Sequence, residues 1–196
     1  MCPPASHATA KHRATYADLI ALPDDVVAEI LNGELIVSPR PAARHTRATS
    51  TIGQDLGPPF DGGRGGPDAP GGWWILDEPE LHLGDDVLVP DLAGWRREKM
   101  PVIPDVAAFT QAPDWVCEVV SPSTARIDRV QKMALYGRYG VGFLWLVDPA
   151  AHTLEVYRRE GERWVVVTTV AGDEKVRAEP FAVAELDLAR WWIDAP

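Results

Sequence analysis

The stretch APDWVCEVVSPSTARIDRVQKMALYGRYGVGFLWLVDP, residues 112–149, decides the fold. Its opening run, 114–120, is apolar, has the length of a strand, and ends at Ser121-Pro122. A helix follows, with Ser123 or Thr124 as its cap, and runs to about Tyr139, where Gly140 is a stop signal. Residues 143–147 (FLWLV) then read as a further apolar strand. One acid, Glu118, sits inside the first of these strands. A carboxylate in an apolar strand is costly unless it is paired or binds a cation.

Upstream, 87–95 (VLVPDLAGW) repeats the pattern: an apolar strand interrupted by Pro90-Asp91. Alternate side chains of a strand face opposite ways, so Val116, Glu118 and Val120 share one face and Trp115, Cys117 and Val119 the other. If the two strands are neighbours, Asp91 and Glu118 project at adjacent positions. Two converging carboxylates suit a hard cation that keeps several waters, Mg2+ or Mn2+. A structural ion pair is the competing reading. In the helix, Lys132 and Tyr136 are four apart and share a face. Lys132 can place its ammonium beside the two acids, or can form an exposed pair with Asp128; spacing alone leaves both open.

Further out, 28–39 reads as a hairpin around Asn32-Gly33, the strongest short turn signal in the chain. Residues 16–22 and 42–56 read as helices, the second with Ala48, Ile52 and Leu56 on one face. Residues 57–72 form a loop dense in Gly and Pro. Candidate strands are 73–76 and 80–83, a hairpin spans 154–158 and 163–169, and 181–192 is a short apolar closing element. The expected fold class is α/β, a sandwich built on a mixed sheet. Residues 1–13 are expected to be disordered and 14–196 to form one domain, which at this length needs no disulfide or structural metal.

Composition narrows the function. Two cysteines with no metal-type spacing exclude a disulfide framework, and Cys117 reads as a small buried residue. No apolar run approaches the ~20 residues of a membrane helix. The N-terminus lacks the apolar core of a signal peptide, so a cytoplasmic location is expected. The net charge of −10 opposes broad affinity for nucleic acid. Its distribution is uneven, however. Residues 35–54 hold Arg40, Arg44, His45 and Arg47 without an acid, and 129–147 hold Lys132 and Arg138 without one. Acids gather at Asp77, Glu78, Glu80, Asp85 and Asp86. These charges are either a substrate path or an ordinary solvated surface.

The 112–149 run resembles the signature of the Uma-two family, also called domain of unknown function 820. That signature is a Pro-Asp-initiated strand, Glu-Val-x-Ser-Pro-Ser-Thr, a helix with Lys and Tyr, Gly-Val, then Trp and Val-Asp-Pro. AEILNGELIVSPRPAARH is similar to the family's opening hairpin followed by Pro and His, and VPDLAGW to its first acidic motif. The similarity runs from about Tyr16 to Trp192. It implies the PD-(D/E)XK, or restriction-endonuclease-like, superfamily: a mixed β-sheet core flanked by helices, with additional β-hairpins. It further implies a Mg2+- or Mn2+-dependent endonuclease acting on nucleic acid, with DNA the expected partner.

By that resemblance Asp91 is the motif aspartate and Glu118 the acid of the second motif. The superfamily lysine, due two residues after Glu118, is replaced by Val120 and moved to Lys132. Glu29 and His45 match supporting residues, although Ala28 stands where the family has Tyr. The metal would be held by Asp91, Glu118 and the Val119 carbonyl, with Lys132 orienting or helping to deprotonate water. Arg40, Arg44 and Arg47 are the expected nucleic-acid contacts, and Tyr136 either joins them by hydrogen-bonding a phosphate or simply packs. Trp73-Trp74 and Trp191-Trp192 pack in the core, stack bases or build a homodimer contact. Two other classes of function remain: a nuclease-fold module without turnover that binds nucleic acid or a protein, and a metal-dependent hydrolase of a different substrate.

Overall fold

In the computed structural model, which describes residues 12–23, 26–62 and 70–193, two mixed sheets share the strand-forming residues. The smaller has the order β2-β1-β5-β4-β7 and the larger β11-β10-β9-β8-β6-β3. The smaller is built from β1 (Val27–Leu31), β2 (Glu34–Ser38), β4 (Glu80–Leu83), β5 (Asp86–Leu88) and β7 (Ala108–Phe109). The larger contains β3 (Trp73–Asp77), β6 (Leu92–Arg96), β8 (Trp115–Val119), β9 (Phe143–Asp148), β10 (Thr153–Glu160) and β11 (Arg163–Ala171). A small pair, β12 (Lys175–Val176) and β13 (Leu186–Asp187), lies near the C-terminus. The fold is the expected α/β class.

Local chemistry sets the β1–β2 hairpin. Asn32 and Gly33 have φ of 54° and 80°, the two positive values that a two-residue type I′ turn requires. Leu31 and Glu34 close the ladder around them.

The expected single strand over 87–95 is instead two strands in different sheets. β5 pairs with β1 and β4, whereas β6 pairs with β3 and β8. Val89-Pro90-Asp91 carries the chain between them, and Pro90, with no N–H to donate, suits the break in the ladder. This crossing places Asp91 where the two sheets separate.

The larger sheet is apolar on both faces because it is covered on both. Trp115, Cys117 and Val119 of β8, with Trp145 and Val147 of β9, pack against Ala48, Ile52 and Leu56 of α2 (Ala43–Leu56) and against Phe181 and Trp191. On the other face, Val116, Val120, Leu144 and Leu146 meet Leu31, Leu81 and Leu88 of the smaller sheet and Leu135 of α3 (Met133–Arg138). The strand alternation read from sequence is therefore the division between the two cores.

Several local expectations shift. The helix expected over 16–22 is α1 (Tyr16–Ile20), with no buried residue. Residues 57–61 of the expected loop continue α2 as a π-helical turn. Of the expected disordered N-terminus, residues 1–11 lie outside the described residues, while His12 and Arg13 are placed near Asp18 and Asp85. Trp73, Trp191 and Trp192 are buried, and the Trp74 indole N–H donates to the Met100 carbonyl, so packing is the role these four residues take. Among the described residues no helix is long and apolar enough to cross a membrane.

Candidate active site

β6 and β8 are antiparallel neighbours in which Leu92 opposes Cys117. One further step of that register sets Asp91 opposite Glu118. Both line a cleft of about 320 Å³ at the point where the sheets part. The geometry expected of the two acids, neighbouring strands and a common opening, is the geometry found.

Glu118 is 3% exposed, and Lys132, from the following helix, is also 3% exposed. Their separation is 2.8 Å between Nζ and Oε1. Lys132 also reaches Glu29 Oε1 of β1 at 3.0 Å and donates to the Val89 carbonyl at 3.3 Å. Glu29 in turn accepts from the Val89 N–H at 2.8 Å. One ammonium thus ties together β8, β1 and the crossing between the sheets. Of the two readings of Lys132, an exposed pair with Asp128 is overturned: Asp128 is itself only 5% exposed. Burial pulls the Lys132 pKa down, but Glu118, Glu29 and Asp128 together hold it above its ordinary value.

The helix is built to aim these groups. Residues Ile127–Lys132 form a π-helical turn that runs without a break into α3, closed by the Met133 N–H donating to the Asp128 carbonyl. The wider turn lets Asp128, Lys132 and Tyr136, spaced by four, look toward Glu118; π turns of this kind are frequent at functional sites. Thr124 stands just before the helix, which starts at residue 125. Ser121 Oγ accepts from the Thr124 N–H at 3.2 Å, and Thr124 Oγ1 accepts from the Ser121 N–H at 3.1 Å. Ser121 and Thr124 thus close the turn that leads into the helix. Ser121→Ala is expected to lower stability by about 0.5–2 kcal/mol, read by urea denaturation; no change would mean that the turn holds without the hydroxyl.

His45 arrives from the other face. It lies on the Ala48–Ile52–Leu56 stripe of α2, so packing that stripe on the sheet turns the imidazole toward Asp91, with Nε2 3.2 Å from Oδ1. Asp91 Oδ2 accepts from the Val119 N–H at 2.6 Å. Burial lowers the His45 pKa, but Asp91, Asp128 and the Val119 carbonyl outweigh it and leave it raised. Its Nδ1 is buried without a partner.

Two expected contacts do not reach the cleft. Tyr136 is wholly buried, and its hydroxyl donates to Glu118 Oε1 in a short hydrogen bond, so it cannot touch a nucleic-acid phosphate and instead fixes the carboxylate. The Arg47 guanidinium is turned to the Arg190 carbonyl at 3.0 Å, away from the cleft. Arg40 and Arg44 do line it. Sequence reading missed Asp128 as a site residue, although its spacing from Lys132 was the available signal.

Glu29, Glu78, Asp91, Glu118 and Asp128 line the same cleft as Lys132, Arg40 and Arg44, with His45 beside Asp91, so the acids outnumber the fixed cations. Burial first, then Asp128, Asp91 and Glu29, hold Glu118 well above the usual carboxylate range despite Lys132. A divalent cation would offset this excess. Among the described residues no three His, Cys, Asp or Glu side chains are grouped as a ready ligand set. The chemistry of the donor set, oxygen only and carboxylate-rich, is of the type that hard divalent cations take.

Residues 13–189 match the Uma2 family model, described as "Putative restriction endonuclease". A crystal structure from Anabaena variabilis ATCC 29413, described as "a putative nuclease belonging to DUF820", is similar in fold. Its TM-score is 0.67 and its identity 23%, over 91% of this chain and 98% of that one. No curated protein matches the chain.

Proposed function

Because the chain belongs to the Uma2 family of restriction-endonuclease-like proteins, we propose that it is a divalent-metal-dependent endonuclease that hydrolyses phosphodiester bonds in DNA. The observation that carries this reading is the pairing of Asp91 and Glu118 across neighbouring strands at a cleft, with Lys132 2.8 Å from Glu118. In the reaction a water oxygen bonds to phosphorus and gives up one proton, the bond from phosphorus to the leaving ester oxygen breaks, and that oxygen takes up a proton in turn.

Asp91, Glu118 and the Val119 carbonyl are the residues that would hold Mg2+ or Mn2+. The ion would supply positive charge at the phosphate and lower the pKa of a bound water. Lys132 adds a fixed ammonium beside the charge that develops on phosphate. Glu29 and Tyr136 act through others: Glu29 anchors Lys132, and Tyr136 anchors Glu118. His45 orients Asp91. Arg40 and Arg44 are the cleft residues suited to backbone phosphates on either side of the cut.

Metal binding has a readout independent of turnover. A ligand held only by the folded state raises the melting temperature in a concentration-dependent way. Mn2+ titrated into the chelator-treated wild-type protein is expected to raise Tm, and the rise is expected to vanish in Glu118→Ala. A flat Tm up to millimolar Mn2+, with no cleavage of plasmid, linear or single-stranded DNA, would instead favour a binding module on the same fold.

A further inference from the structure

The depth of the site restricts what can reach it, and this inference rests on the nuclease reading above. Glu118, Lys132 and Glu29 are all buried at the floor of the cleft. Its volume of about 320 Å³ lies at the low end of pockets that enclose one small ligand. Three proline-bearing segments line it: Pro39-Arg40-Pro41, Ser121-Pro122-Ser123 and Pro149-Ala150. Each proline ring fixes its own φ, so these walls resist spreading.

A paired duplex is a stiff rod with a persistence length of about 150 bp. While its nucleotides stay stacked, such a rod is poorly shaped to bring a phosphate to groups as buried as Glu118, Lys132 and Glu29. Charge limits the footprint. Affinity for nucleic acid, paired or single-stranded, grows with the number of phosphates neutralised, yet the chain carries −10 overall, and Arg40 and Arg44 are the arginines lining this cleft, so a short footprint fits better than a long one. None of the described residues that line it is Phe, Tyr or Trp, so no platform stacks a run of bases. What fits is one nucleotide with its flanking phosphates.

We propose that the cleft admits a single unpaired nucleotide, which makes the substrate single-stranded or locally unpaired DNA and excludes the fully paired duplex. Three labelled oligonucleotides of one sequence test this with the wild-type chain and Mn2+: a single strand, a blunt duplex, and a duplex carrying an unpaired bulge. The single strand and the bulge are expected to be cut at least about tenfold faster than the blunt duplex, because only the duplex bears the cost of unpairing. The cut is expected to fall within the bulge. Equal or faster cutting of the blunt duplex overturns the proposal while leaving the nuclease reading intact. A parallel measurement of fluorescence anisotropy replaces Mn2+ by Ca2+ and reads binding alone. The single strand is expected to bind at least about tenfold more tightly than the duplex, for the same reason. If no substrate is cut, the hydrolytic reading fails and the binding measurement decides this one. A duplex bound as tightly as the single strand, or no binding of either, then overturns it.

Discussion

Lys132→Met, measured by urea denaturation in chelator, is expected to lose about 3–5 kcal/mol of stability, the cost of removing one partner from a buried charge network. Lys132 is the donor that Glu29 and Glu118 share, at 3.0 and 2.8 Å. Methionine fills a similar volume, so the loss reports charge more than packing. Without the ammonium, two buried carboxylates on different sheets face each other with Asp128 and Asp91 in the same cleft. The double variant Glu118→Gln/Lys132→Met should regain much of the loss, because replacing both members of a buried pair by neutral groups is far cheaper than orphaning one. A single-variant loss under about 1 kcal/mol would match a solvent-exposed pair and would refute the network described for this site.

Much of this site was legible because its acids stand in the wrong company. Asp91 and Glu118 interrupt apolar runs, and a strand with charge in its middle asks for a partner. The period of two then assigned Glu118 to the face of Val116 and Val120, the face on which α3 and the smaller sheet lie. What sequence could not supply was depth. Lys132 and Tyr136 were placed on the correct stripe of the helix, but spacing gives direction and not burial. Spacing therefore leaves Tyr136 open between a phosphate contact and packing, and burial against Glu118 decides for packing.

Asp128 was weighed as half of an exposed pair for the same reason, and the π turn that directs it inward leaves no periodic trace. The sheet change at Pro90 was half visible, as an interruption without a destination. Arg47 was misplaced because its partner, the Arg190 carbonyl, is remote in the chain, and such closures have no local signature. The family resemblance alone points to His45, and the apolar stripe of α2 supplies the physical reason, since the residues that bury the helix also fix its rotation.

Asp91→Asn is expected to abolish cleavage, by at least about a thousandfold, while the protein remains folded. Asparagine keeps an oxygen to accept the Val119 N–H, now held at 2.6 Å, so the bend between the sheets loses little. What it removes is negative charge, and with it, on the metal-dependent reading proposed above, the affinity for a cation that would contribute several kcal/mol of transition-state stabilisation, where about 1.4 kcal/mol is a factor of ten in rate. Asp91→Ala should match it in activity but melt lower, because the buried Val119 N–H then has no acceptor, at about 1–3 kcal/mol. The difference between the two variants separates the structural work of this carboxylate from its chemical work. Both are also expected to lose the Mn2+-dependent rise in Tm, which ties the missing turnover to the missing ion. Cleavage by Asp91→Asn within about threefold of wild type would mean that a neutral side chain suffices at this position. Asp91 would then be a strand-end hydrogen-bond acceptor, and the cation would have to be sought elsewhere among Glu118, Glu29 and Asp128.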